Sequence, residues 1–175
     1  MQKQTEIRKA DHSSVPPLID ENSDTLVLGS MLSPKSAQAR FYYAHPQNRF
    51  WRVLAAVFDE APPANITDKK ALALSHRIAL WDVIGSCDIV GASDSTIKNV
   101  KYNDIIGLLD KYKSITRIFT TGGKSHELLL KYNAEYNNPL IEKSIRLPST
   151  SPQNCRISVA ELIDAYSILL YGKSE

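Results

Sequence analysis

Cysteine is scarce: the chain has two, Cys87 and Cys155, in 175 residues. They lie far apart and form no metal-ligand pair motif, which excludes a four-cysteine iron–sulfur cluster or a structural zinc. The four histidines make no His-x-x-x-His pair, so the sequence predicts chemistry without metal or cofactor. No apolar run approaches the length of a membrane span. The opening MQKQTEIRKADHSS has basic residues but no apolar core, which excludes a secretory signal. Together these absences predict a soluble cytoplasmic protein with reduced cysteines and no membrane partner. Charge is nearly balanced, with 21 Lys and Arg against 19 Asp and Glu and a net +2. A protein gripping nucleic acid by charge alone would be more basic, so any such grip needs one local basic face. Glycine signatures are also missing. Gly29-Ser30-Met31-Leu32-Ser33 is neither a dinucleotide turn nor a Walker A loop, and no G-x-S-x-G elbow points to a serine hydrolase.

What is present reads as one folded domain, residues 1–175, preceded within that span by a polar N-terminal arm, residues 1–24. Thr25-Leu26-Val27-Leu28, ended by Gly29, has the unbroken apolar character of a buried strand in a parallel sheet. Further strands are expected at 78–84, 115–121 and 144–147. Phe50, Trp51, Leu54, Val57 and Phe58 fall at helical spacing, with Asn48 placed to cap the helix. Helices are also expected at 69–77, 103–112 and after Gly122-Gly123, and Ser158 with Glu161 forms a capping box for the last one, to about Tyr171. The alternation predicts an α/β protein: a three-layer α/β/α sandwich around a mostly parallel four-stranded sheet. In such sheets ligands bind beyond the carboxyl ends of the strands, so a site is expected on the loops at 29–47, 122–124 and 148–154.

Two of these loops carry chemistry. Phe41-Tyr42-Tyr43-Ala44-His45-Pro46-Gln47-Asn48-Arg49-Phe50-Trp51 packs aromatics, an amide and a cation together. Aromatics can stack on a base, an amide can meet a base edge or a water, and Arg can meet phosphate. Phe50 and Trp51 read as core. Leu147-Pro148-Ser149-Thr150-Ser151-Pro152-Gln153-Asn154 offers short hydroxyls for phosphate oxygens and a proline-stiffened tip that could wedge into a base stack. Taken alone it also reads as an ordinary Ser/Pro turn. Gly122-Gly123 before Lys124 reads first as a close-packing turn, with phosphate contact through Lys124 the second reading.

Taken together, G-S-M-x-S, Y-Y-A-H-P-Q-N-R-F-W and the late L-P-S-T-S-P-x-N resemble the uracil-DNA glycosylase superfamily, and within it the hypoxanthine (deoxyinosine) DNA glycosylase branch. Leu80-Trp81-Asp82-Val83-Ile84-Gly85-Ser86-Cys87, Ser93-Asp94-Ser95 and Asn103-Asp104-Ile105 resemble that branch too. The resemblance runs from about Pro17 to Tyr171. It implies a monomeric, metal-free enzyme that flips a deaminated base, most often hypoxanthine, from double-stranded DNA and hydrolyses its glycosidic bond without a lyase step. Met31 stands where uracil- and mismatch-specific relatives carry Asp or Asn. Leu32 replaces a proline usual in the branch, and Leu147 replaces a histidine of the uracil enzymes.

The resemblance implies a central role for Asn48, orienting the water or hydrogen-bonding the base. Tyr43 would stack on the base, with Ser30, Met31 and His45 beside it. Ser33, Arg49, Lys124, Ser149, Thr150 and Ser151 would contact the DNA backbone, and Gln153 or Asn154 would fill the gap left in the duplex. Asp82 is the rival, read either as a general base or as a structural Asp capping the next turn. Alternatives are a glycosylase for uracil, xanthine or mismatched pyrimidines, a non-catalytic damaged-DNA-binding module, and a hydrolase of free nucleosides.

Overall fold

The computed structural model describes residues 7–90 and 94–171. Ser93, part of one quoted motif, lies outside them. At the centre is β2 (Thr25–Gly29), buried at all five positions. It pairs in parallel with β3 (Ile78–Asp82) on one side and β6 (Arg117–Thr121) on the other, and β7 (Ile145–Leu147) completes the order β3-β2-β6-β7. Side chains alternate across β2. Val27 faces a core shared with α2 (Phe50–Val57), α3 (Ile66–Ser75) and α7 (Val159–Tyr166). Leu26 and Leu28 face one built from α4 (Ile105–Lys111), α5 (Gly123–Tyr136) and α6 (Pro139–Glu142). A strand buried on both faces needs no polar alternation, which is why TLVL was readable as central.

The expected strand at 78–84 is two strands. β3 ends at Asp82, and after Val83 the chain enters β4 (Ile84–Val90) of a second, antiparallel sheet, β1-β4-β5, with β5 spanning Lys98–Tyr102. Asn103 Nδ2 pins the break by donating to the carbonyls of Asp82 (2.8 Å) and Ile84 (3.2 Å). The N-terminal arm is likewise part of the fold. Its strand β1 (Ile7–Asp11) pairs with β4, and Leu18 bridges back to Leu80. Along β1 the inward positions are Arg8 and Ala10, continuing to His12, while Ile7, Lys9 and Asp11 are exposed. The last helix stops at Tyr166 and tightens into a 3-10 turn, Ser167–Leu170. Cys87 is buried and Cys155 exposed, and among the described residues neither forms a disulfide. No helix among the described residues is long and apolar enough to cross a membrane.

Candidate functional site

A pocket of about 420 Å³ opens at the carboxyl ends of the parallel strands. Gly29 and Ser30 after β2, Asp82 at the end of β3, Thr121 at the end of β6 and the 149–154 loop after β7 all line it. Gly29 is required there by close approach. A Cβ on it would sit 2.3 Å from Asp82 Oδ1, so only a bare α-carbon lets the carboxylate lie against β2.

Asp82 is buried, and its Oδ2 lies 2.6 Å from His12 Nε2, also buried. Burial works against a charged imidazole, but the hydrogen bond and charge of Asp82 outweigh it and raise the His12 pKa above its usual value. Oδ2 is engaged by His12 and Oδ1 lies against Gly29, with Asp82 lining the pocket. Tyr42 closes this side. Its hydroxyl donates to the Pro16 carbonyl at 2.9 Å, and burial, then the charge of Asp82, holds the phenol far above its usual pKa.

Tyr43 takes a left-handed backbone conformation, φ 50°, which turns its ring back over α2. The ring stacks on Phe50, centroids 3.9 Å apart and planes 13° from parallel. Its hydroxyl shares a 3.2 Å hydrogen bond with Thr121 Oγ1. Burial raises the pKa of this phenol as well. One ring face is thus taken by Phe50 while the side chain borders the pocket.

Asn48 lies one residue before the N-cap of α2. Its Oδ1 accepts the Phe50 N–H at 2.9 Å and the Thr150 hydroxyl at 2.9 Å. An amide N–H can only donate, so this fixes which end of the side chain is oxygen. Both lone pairs of that oxygen are used. What Asn48 has left for the pocket is its NH2, a donor.

Arg49 is turned into the protein. Its guanidinium donates to the carbonyls of Ile157 (2.6 Å), Asn154 (2.8 Å), Ser151 (3.2 Å) and, more weakly, Thr150 (3.5 Å). The cation expected on DNA phosphate is instead the clamp that holds the 148–157 loop against the start of α2. Within that loop Ser149 Oγ accepts from Ser151 N–H and Ser151 Oγ from Gln153 N–H, so each hydroxyl keeps its proton as a donor. Asn154 Nδ2 braces the loop on the Ser149 carbonyl at 2.9 Å, and Gln153 is exposed at the tip. Thr150 is buried, its hydroxyl spent on Asn48. Gly122, with φ +96°, packs against Ser149, where a Cβ would come within 3.3 Å.

Ser30, Met31, Ser33 and His45 all border the pocket. Met31 also packs on the core, Ser33 caps α1 (Pro34–Ala39), and His45 Nδ1 accepts the Gln47 N–H at 3.1 Å. Lys124 does not join them: it sits in the first turn of α5, 3.5 Å from Glu127, away from the pocket lining. Sequence reasoning missed Arg8, His12, Tyr42 and Thr121. The strand-end rule could have found Thr121, but nothing in the polar stretch IRKADHSS marks Arg8 or His12. Among the described residues no group of three or more His, Cys, Asp or Glu could hold a metal ion.

No family model matches the chain. A hypoxanthine DNA glycosylase of Methanosarcina acetivorans is 34% identical over 144 residues, 82% of this chain and 88% of the relative. One of Methanosarcina barkeri is 34% identical over 113 residues, 64% of this chain and 72% of the relative. A solution NMR structure of a Methanosarcina acetivorans protein, described as a candidate uracil DNA glycosylase, superposes with a TM-score of 0.73 at 28% identity. It covers 90% of this chain and 97% of its own.

Proposed function

The chain belongs to the family of hypoxanthine DNA glycosylases, and we propose that it hydrolyses the N-glycosidic bond of a deaminated base, hypoxanthine above all, in duplex DNA. The observation that carries this reading is the division of labour in one pocket: an amide that can only donate, Asn48, and a carboxylate that can only accept, Asp82. Breaking C1′–N9 leaves positive charge on the sugar and an electron pair on the base. The Asn48 NH2 donates to the departing base as its charge grows. Asp82 Oδ1 steadies the sugar cation and takes a proton from the water that attacks C1′. Solvent protonates the departing hypoxanthine anion and the Asp82 proton returns to solvent, so the products are free hypoxanthine and an abasic site, with the strand intact.

Base flipping delivers the nucleotide to this pocket. It costs a few kcal/mol, least for a mispaired base such as inosine opposite thymine. The side of the Tyr43 ring away from Phe50 stacks on the flipped base. The hydroxyls of Ser149 and Ser151, with Ser33, meet flanking phosphates, and the Pro152–Gln153 tip fills the vacated stack. Arg49 supports this surface from behind.

The test uses duplexes carrying one deoxyinosine, uracil or xanthine, incubated with the protein and then treated with alkali to break abasic sites. Breaks strongest with deoxyinosine support the proposal. Breaks strongest with uracil or xanthine keep the enzyme class and change the substrate. Tight binding without breaks on any of the three identifies a damage-binding module instead.

A further inference from the structure

Arg8 has no account in the mechanism above, and its chemical situation demands one. It lies on the inner face of β1, opposite Ile89 of β4, and both residues border the pocket. Its Nε and Nη2 are buried from solvent and have no hydrogen-bond partner among the described residues. Among the described residues the one carboxylate lining this pocket, Asp82, is engaged by His12. Leaving two guanidinium N–H groups buried without acceptors is costly, and a ligand that supplies the acceptors removes that cost.

The two orphaned nitrogens belong to the same side of the guanidinium. Nε–H and one Nη2–H run parallel, the fork that meets two adjacent acceptors at once. In a pocket that takes a flipped base, the fitting pair is O6 and N7 of an oxopurine, the commonest bidentate partner of arginine on DNA bases. Adenine presents N7 beside an amino donor and repels one tine of the fork. Uracil has an oxygen but no N7.

We propose that Arg8 reads the O6/N7 edge of the flipped base, a turn about its side-chain torsions bringing the Nε/Nη2 fork to face the pocket. Arg8 thereby separates hypoxanthine from adenine and from pyrimidines. It also places positive charge against the oxygen and nitrogen that gain electron density as C1′–N9 breaks. A flanking phosphate is the competing acceptor. Arg8 reaches the pocket from β1, beside Ile89, and not from the loop that carries the Ser149 and Ser151 hydroxyls, which favours the base.

This assignment rests on the glycosylase reading, and the test separates the two. Affinities are measured for duplexes carrying non-cleavable 2′-fluoro-deoxyinosine, its 7-deaza counterpart, or no damage, using wild type, Arg8→Met and Arg8→Lys. Each good bidentate contact is worth roughly 5- to 150-fold in discrimination. Wild type is therefore expected to lose several-fold affinity when N7 becomes CH, and both variants less than twofold. Affinity for undamaged duplex stays within twofold. The thermal midpoint of Arg8→Met does not fall, because no partner is lost. An N7 effect that persists in Arg8→Met, or a parallel loss of affinity for undamaged duplex, overturns the assignment in favour of phosphate. A lower midpoint in Arg8→Met overturns it in favour of a structural role. Release of hypoxanthine from the unfluorinated duplex is followed alongside, and its absence from wild type counts against the glycosylase reading itself.

Discussion

His12 Nε2 lies 2.6 Å from Asp82 Oδ2, which joins the N-terminal strand to the floor of the pocket across 70 residues of sequence. The pair makes pH dependence a direct probe of the site. Burial favours neutral imidazole, but Asp82 overrides it and raises the His12 pKa in the folded chain above 6.5. A raised folded pKa means the stabilisation is complete below the unfolded value and fades as pH rises through the folded one. Thermal midpoints of wild type and His12→Gln, measured from pH 5 to 9, should therefore differ most at the acid end and converge at the alkaline end. A constant gap would mean the pair contributes through packing alone.

Replacing Gly29 by Ala should cost activity more than stability. The added Cβ would sit 2.3 Å from Asp82 Oδ1 and push the carboxylate from its place. Single-turnover cleavage of a deoxyinosine duplex is expected to slow at least tenfold in Gly29→Ala, with DNA affinity within threefold of wild type. Unchanged cleavage would remove Asp82 from the chemistry.

Thr150→Val keeps the shape of a buried side chain but deletes the hydroxyl that holds Asn48 Oδ1. The loss of one hydrogen bond predicts a stability change of about 1 kcal/mol by denaturant titration. Cleavage should fall by roughly tenfold as the amide loses its fixed orientation. Wild-type turnover in this variant would show that Phe50 N–H alone positions Asn48.

Arg49→Ala tests the clamp. Several carbonyls of the 148–157 loop lose a charged donor together, and the expected destabilisation is about 2–3 kcal/mol. If Arg49 instead reached DNA, the variant would unfold at the wild-type denaturant midpoint and bind undamaged duplex with a shallower salt dependence.

The sequence makes the middle of the central sheet legible because β2 and β3 are buried on both faces: TLVLG and IALW read as apolar runs. The second sheet does not show itself. β1, IRKAD, and β5, KNVKY, are largely exposed, and the inward side chains of β1 are Arg8 and Ala10 rather than aliphatics. Without apolar alternation there is no periodic signal, and His12 and Arg8 stay hidden with the strand that carries them. Asn48 and Tyr43 could be picked out because the motif Y-Y-A-H-P-Q-N-R-F-W that carries them resembles the glycosylase superfamily; the loop's chemistry alone also allowed a helix cap and core. The inward turn of Arg49 could not, since its partners are backbone carbonyls more than 100 residues away, which no side-chain pattern encodes.

The division of labour between Asn48 and Asp82 is tested most directly by one substitution, Asn48→Asp. A carboxylate at 48 still accepts from Phe50 N–H and Thr150 Oγ–H, so the variant should fold with a thermal midpoint near that of wild type. It presents an acceptor to the pocket where the amide presented a donor. Single-turnover release of hypoxanthine at pH 7.5 should therefore fall by roughly 10²- to 10³-fold, the scale of losing one donor aimed at developing negative charge. Release at or above the wild-type rate would contradict the account, because it would make residue 48 the acceptor for the attacking water.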